Sequence, residues 1–142
     1  MKKNVFMAAA AAFVMAACGS QKSVSDLSSL NGEWDIIEVE GKKINAADCE
    51  TAPFLGFDAK KHNLYGNTGC NSLTGSLNAN AKKGTIDFSN TGTTMMLCAD
   101  METERRVLDA LKKSHKFSIP STGKLTLNDN SGNTVIVLQK KK

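Results

Sequence analysis

Cysteine and histidine are the side chains of this chain best suited to nucleophilic, redox or metal chemistry, and it holds four of the first and two of the second. Cys18 closes the run Met15-Ala16-Ala17-Cys18, while Cys49, Cys70 and Cys98 are spread along the remainder with His62 and His115. Cys70 follows Gly66-Asn67-Thr68-Gly69, a turn whose amides could lower a thiol pKa, and either histidine could serve as base. Nothing in the spacing obliges these groups to meet, and an oxidised cysteine is no nucleophile. A metal set has the same weakness, with no C-x-x-C and no histidines at ligand spacing. The Gly66-to-Gly75 stretch lacks the Lys-Ser/Thr of a phosphate-binding loop, and a strand rather than a helix should follow it. Its glycines read instead as conformational, with positive φ at Gly66 and Gly69 and close packing at Gly75. Without a convergent acid, base and nucleophile, the chain is expected not to be an enzyme, and to use no cofactor and no metal.

Cys18 has a different chemistry. Lys2 and Lys3 precede an unbroken apolar run from Val5 to Met15, and small residues lead into the cysteine. That run is far short of the roughly 20 apolar residues of a membrane-spanning helix, and its end is built like a signal-peptide cleavage site. It resembles the lipobox of bacterial lipoproteins, with Met15 where Leu is commoner. The expectation is a signal peptide over 1–17, removed before Cys18, and acylation of the Cys18 thiol. The resulting protein is tethered to a membrane in the cell envelope. Gly19 rather than Asp after the cysteine points to the outer membrane, facing the periplasm. The net charge of +4 falls to about +2 once Lys2 and Lys3 are gone, too little to argue for nucleic acid. Beyond the inner membrane thiols are oxidised, so three remaining cysteines imply one disulfide and one thiol, with three pairings open.

The elements that must position these residues follow from pattern. Residues 18–29, rich in Ser and without apolar periodicity, read as a tether, with one domain over 30–139 and a frayed basic tail at 140–142. Strands are expected at Glu33–Val39, Phe54–Asp58, His62–Gly66, Asn71–Leu77, Thr85–Phe88 and Lys116–Ile119. A hairpin should pair Lys124–Leu127 with Thr134–Leu138 through Asn128-Asp129-Asn130-Ser131-Gly132. One helix is expected, from Met101 to about Ser114, capped by Asp100, with Glu102 and Glu104 in its first turn and Val107, Leu108 and Leu111 on its buried face. The fold class is α+β, a mainly antiparallel sheet, curled or small and barrel-like, with one helix. Thr93, Thr94, Met95, Met96 and Leu97 form an apolar stripe, read as core packing rather than as a ligand wall.

Several pieces, in order, carry a family pattern. Leu30-Asn31-Gly32-Glu33-Trp34 opens the domain; Gly66-Asn67-Thr68-Gly69-Cys70-Asn71 follows, with Gly75 after it. Thr94-Met95-Met96-Leu97-Cys98 comes next, then the helix bearing Glu104, Leu108 and Leu111. Together they resemble the META domain family, which includes HslJ-like heat-shock lipoproteins, over nearly the whole domain. Met95 and Leu97 stand where the family often has Arg and Ala, and Cys49 lies outside its core pattern. The resemblance implies a small β-rich domain with one helix, in an envelope protein linked to stress, and it carries over no catalytic residues. It also singles out Cys70 and Cys98, which are expected on neighbouring strands and joined by a disulfide, with Cys49–Cys98 the competing pair. The chain-entropy account gives such a link roughly 3 to 4 kcal/mol.

Gly32 and Trp34 also satisfy the G-x-W opening of lipocalins, although the helix here precedes the last strands instead of following them. Trp34 therefore reads as a core residue or barrel-end plug. The functional expectation is a non-enzymatic binding or structural module, monomeric and membrane-anchored, whose partner is an unidentified envelope protein or small ligand. The alternatives are a carrier of a small apolar molecule in a lipocalin-like cavity and an inhibitor of another envelope protein.

Overall fold

The computed structural model describes residues 26–120 and 122–142. The signal segment, Cys18 and most of the tether lie outside the described residues. Eleven strands and one helix follow in order: β1 (Gly32–Val39), β2 (Lys42–Lys43), β3 (Phe54–Asp58), β4 (Asn63–Asn67), β5 (Ser72–Ser76), β6 (Asn78–Asn80), β7 (Thr85–Asp87), β8 (Thr91–Thr93), α1 (Glu102–Lys113), β9 (Lys116–Ser118), β10 (Lys124–Asn128) and β11 (Thr134–Lys140). All pairings are antiparallel, in the order β6-β7-β9-β10-β11-β1-β3-β4-β5-β8, with β2 alongside β1. Leu73 and Ile86 lie near opposite ends of that order and yet share one apolar core, so the sheet is curled around it. The fold is therefore α+β and mainly antiparallel.

Local chemistry explains the main pairings. Along β1, Trp34 and Ile36 face inward by strict alternation, which would next bury Glu38. The register with β11 shifts between Ile36 and Glu38, and this extra residue leaves Val39 fully buried instead. Glu40 and Gly41, both at positive φ, then turn the chain into β2 as a two-residue hairpin loop. The β10–β11 hairpin forms where the apolar alternation of Leu125, Leu127, Ile136 and Leu138 requires it.

Helix α1 buries Val107, Ala110 and Leu111 against β11 and β1. Asp100, one residue ahead of the helix's assigned cap position, accepts hydrogen bonds from the Glu102 N–H and the Thr103 hydroxyl, both at 2.8 Å. These bonds hold the Asp100 carboxyl below its ordinary range.

Three local expectations are corrected. A short 3₁₀ turn, Leu27–Leu30, occupies the last residues read as tether, because Leu30 is fully buried and Asp26 caps the turn. At the other end, Lys140 completes β11 and the Lys141 N–H bonds the Glu33 carbonyl at 2.9 Å, so this end is paired rather than frayed. The Lys140 ammonium sits 4.7 Å from the Trp34 ring centre and Lys141 lies 4.5 Å from that of Phe54, placing charge over aromatic faces. Gly66 lies within β4 without positive φ; a Cβ there would come 2.2 Å from the Phe54 carbonyl oxygen, so close strand packing is its reason.

Candidate functional site

The residues singled out by pattern converge on one end of the sheet. Between β4 and β5 the chain turns through Thr68, Gly69, Cys70 and Asn71. Gly69 sits at φ +116°, and a Cβ there would press on Thr103 of α1 at 3.3 Å. The dihedral calls for glycine, and the contact leaves a side chain little room. Cys70 is joined to Cys98 by a disulfide, with Cα atoms 5.9 Å apart. The pairing agrees with expectation, but neither cysteine is on a strand: Cys70 is in the turn and Cys98 is in the irregular segment between β8 and α1. Cys70 therefore offers no thiol for nucleophilic work.

Asn71 is the hub. It is 2 % exposed, and its side chain makes all four of the hydrogen bonds an amide can make. Oδ1 accepts from the Met96 N–H at 2.6 Å and from the Thr94 hydroxyl at 2.8 Å. Nδ2 donates to the Met96 carbonyl at 3.2 Å and to Glu104 Oε1 at 2.8 Å. Its backbone N–H donates to Glu104 Oε2 at 2.8 Å, and its carbonyl accepts from the N–H and hydroxyl of Thr68. Thr94 Oγ1 in turn accepts from the Ser72 N–H at 3.0 Å.

Glu104, which the sequence presents only as a first-turn acid and a piece of the family pattern, is buried at 6 % exposure. A carboxylate in that position needs partners. Asn71 supplies two, and the N-terminal end of α1 supplies a favourable dipole. The signal was in the pattern: Glu104, Val107 and Leu111 recur at helical spacing, so Glu104 lies on the helix's apolar face.

The effect of this clamp is to hold Thr94 and Met96 through main-chain bonds while the side chains of Met95, Met96 and Leu97 turn outward. Met95 is 98 % exposed, Leu97 95 % and Met96 54 %. The reading of Thr93 to Leu97 as core is therefore wrong. The main chain of Met96 is engaged by Asn71, so the side chains on either side of it have no core to enter.

The other expected residues lie elsewhere on the sheet or, like Cys49, beside the start of α1. Trp34 is buried in β1, its indole N–H donating to the Leu30 carbonyl at 2.7 Å, as a plug rather than a ligand contact. Gly32 begins the same strand at φ +100°. Gly75 lies in β5, where a Cβ would come 2.5 Å from the Asn90 carbonyl oxygen, so close packing is its reason. Cys49 carries a free thiol whose pKa is pushed up chiefly by burial; a Thr103 hydrogen bond opposes this, and Asp100 and Asp48 add to it. A raised pKa makes a poor nucleophile. His62 sits in the β3–β4 turn and His115 between α1 and β9.

Surface grooves accompany this end. One of about 400 Å³ runs along α1 beside Met101, Arg105 and Leu108; another, of about 280 Å³, separates α1 from β8. A third, of about 490 Å³, is lined by Asn78, Asn80, Asp87 and His115 at the far edge. The interior of the curled sheet holds the apolar side chains of the core.

Comparison with known proteins points the same way. A family model described as the META domain matches residues 25–142. The fold is similar to that of a protein from Burkholderia xenovorans solved by NMR, with TM-score 0.64 and 18 % identity over 100 % of this chain and 99 % of that one. It is also similar to a crystal structure of a DUF4847 family protein from Bacteroides vulgatus, with TM-score 0.58 and 15 % identity over 81 % and 96 % of the two chains. A further NMR structure matches with TM-score 0.57 and 19 % identity over 76 % and 88 %. No curated protein matches.

Proposed function

The chain belongs to the META domain family, and from that premise and the geometry above we propose a non-enzymatic docking module on a membrane-anchored envelope lipoprotein linked to stress. The observation that carries this reading is the pair of exposed apolar side chains, Met95 and Leu97, borne on a segment pinned by Asn71 and the Cys70–Cys98 disulfide. Apolar side chains displayed together on a surface are a mark of an interaction site. Fixing the backbone beforehand lowers the ordering cost of binding, and methionine adapts to an irregular partner surface.

A protein partner suits these features better than a small cargo. A carrier needs an enclosed space, and among the described residues apolar side chains pack the interior while these grooves open on the surface. Anchoring through acylated Cys18, with the domain in the periplasm at the outer membrane, would keep the module near envelope partners.

The test is a photo-reactive side chain at Leu97 of the full chain, in the membrane of the cell that makes it. A protein adduct that is lost on Met95→Ser supports the reading. Adducts with lipid alone, or no adduct, overturn it. The anchor is tested separately: Cys18→Ala should release the protein from the membrane fraction, and its retention there would refute acylation at that residue.

A further inference from the structure

We propose that the slot between β8 and α1 receives an extended segment of a partner protein, which adds to the sheet as one more strand; this rests on the docking reading above and names the chemistry of the partner. β8 ends the strand order, with β5 on one side only. The Thr94 N–H bonds the Ser72 carbonyl at 3.1 Å, and Thr93 is in register with Leu73. Alternation in an antiparallel ladder then turns Gly92 toward β5 and leaves the N–H and C=O of Thr91 and Thr93 pointing the other way.

The same two residues, Thr91 and Thr93, line the groove of about 280 Å³ together with Phe88, Leu108, Leu111 and Lys112. A row of main-chain donors and acceptors beside an apolar floor is the arrangement that strand addition uses. The backbone supplies the affinity, and alternate side chains of the guest enter the groove.

Other occupants fit worse. A small molecule would leave the outward main-chain groups of the β8 edge unpaired. A helical guest would have no free main-chain groups for Thr91 and Thr93. A second copy would bring its own β8 already flanked by its own α1, so two helices would compete for one slot. A bare extended segment with apolar residues at every second position meets none of these objections.

The experiment places photo-reactive side chains singly at Thr93, Lys112 and Leu97 of the full chain in its native membrane. The expected result is that positions 93 and 112 attach to the same partner segment, a few residues apart, with no proline between them. A synthetic peptide of that segment should then slow hydrogen exchange at the Thr91 and Thr93 amides. Thr93→Pro removes an outward donor without touching the bonds to β5, and should weaken the peptide roughly tenfold, about the worth of one hydrogen bond. Leu108→Gln, which alters the floor and no backbone group, should weaken it independently should the proline variant fold poorly. Adducts at Leu97 but at neither 93 nor 112 overturn strand addition and leave the docking reading standing. No adduct at any position overturns both. Adducts between two copies of this chain, or a bound peptide that leaves Thr91 and Thr93 exchanging freely, also overturn it.

Discussion

Asn71 and Glu104 are joined by two hydrogen bonds of 2.8 Å, one from the backbone N–H and one from Nδ2, each to a different oxygen of the same carboxylate. The pair ties the β4–β5 turn to the first turn of α1 across a sequence separation of 33 residues. Because Asn71 also holds Met96 by both backbone groups, the exposed segment inherits its position from a buried contact.

Glu104→Gln should destabilise the domain by about 1–3 kcal/mol, because an amide offers one acceptor where two donors converge and leaves a buried N–H unsatisfied. Urea unfolding reads this directly. An unchanged midpoint would mean the carboxylate is not what the two donors require.

Asn71→Leu keeps much of the volume but removes every side-chain bond to Thr94, Met96 and Glu104. The expected loss is several kcal/mol, since a charge is left buried beside an apolar group. Hydrogen exchange at the Met96 amide should rise well beyond the global effect. If Met96 remained as protected as the strands around it, the clamp would not be what fixes the loop.

Replacing both Cys70 and Cys98 by Ser should cost roughly 3 to 4 kcal/mol, the loop-entropy value for a link of this span. Non-reducing peptide mapping of the parent should find Cys49 as the thiol. A Cys49-containing bridge would contradict the structure, and a melting point unaffected by the double change would contradict the entropy argument.

Asp100 gives a pH signature. Its folded pKa lies below the ordinary 3.8, first through the Thr103 hydroxyl and then the Glu102 N–H. A depressed carboxyl contributes stability that is present above its unfolded pKa and disappears as pH falls through the folded value. Asp100→Asn should therefore be less stable than the parent at neutral pH, and the two should converge in strong acid. Parallel stability curves across that range would exclude the carboxylate as the source.

The strands expected from alternation at Glu33–Val39, Phe54–Asp58 and the final hairpin formed where side-chain period and turn residues agreed, within a residue or two. β6 and β8 were missed because three residues of Asn, Ala, Thr and Gly carry no apolar period; they exist through pairing with β7 and β5. The stripe from Thr93 to Leu97 failed for the converse reason. Hydropathy recorded what the side chains are, whereas Asn71 decided which way they point.

By itself, then, the order of residues determined the antiparallel class, the single capped helix, the likeness to the META family and the exceptional character of Gly69, Cys70, Asn71 and Cys98. Local propensity, periodicity and turn chemistry act over a few residues and can be read from a string. Tertiary structure alone decided that Glu104 meets Asn71, that Cys98 pairs with Cys70, and that Met95 and Leu97 face solvent. Each of these depends on residues more than 20 positions apart, brought together when the curled sheet closes on its core and the helix end meets the β4–β5 turn.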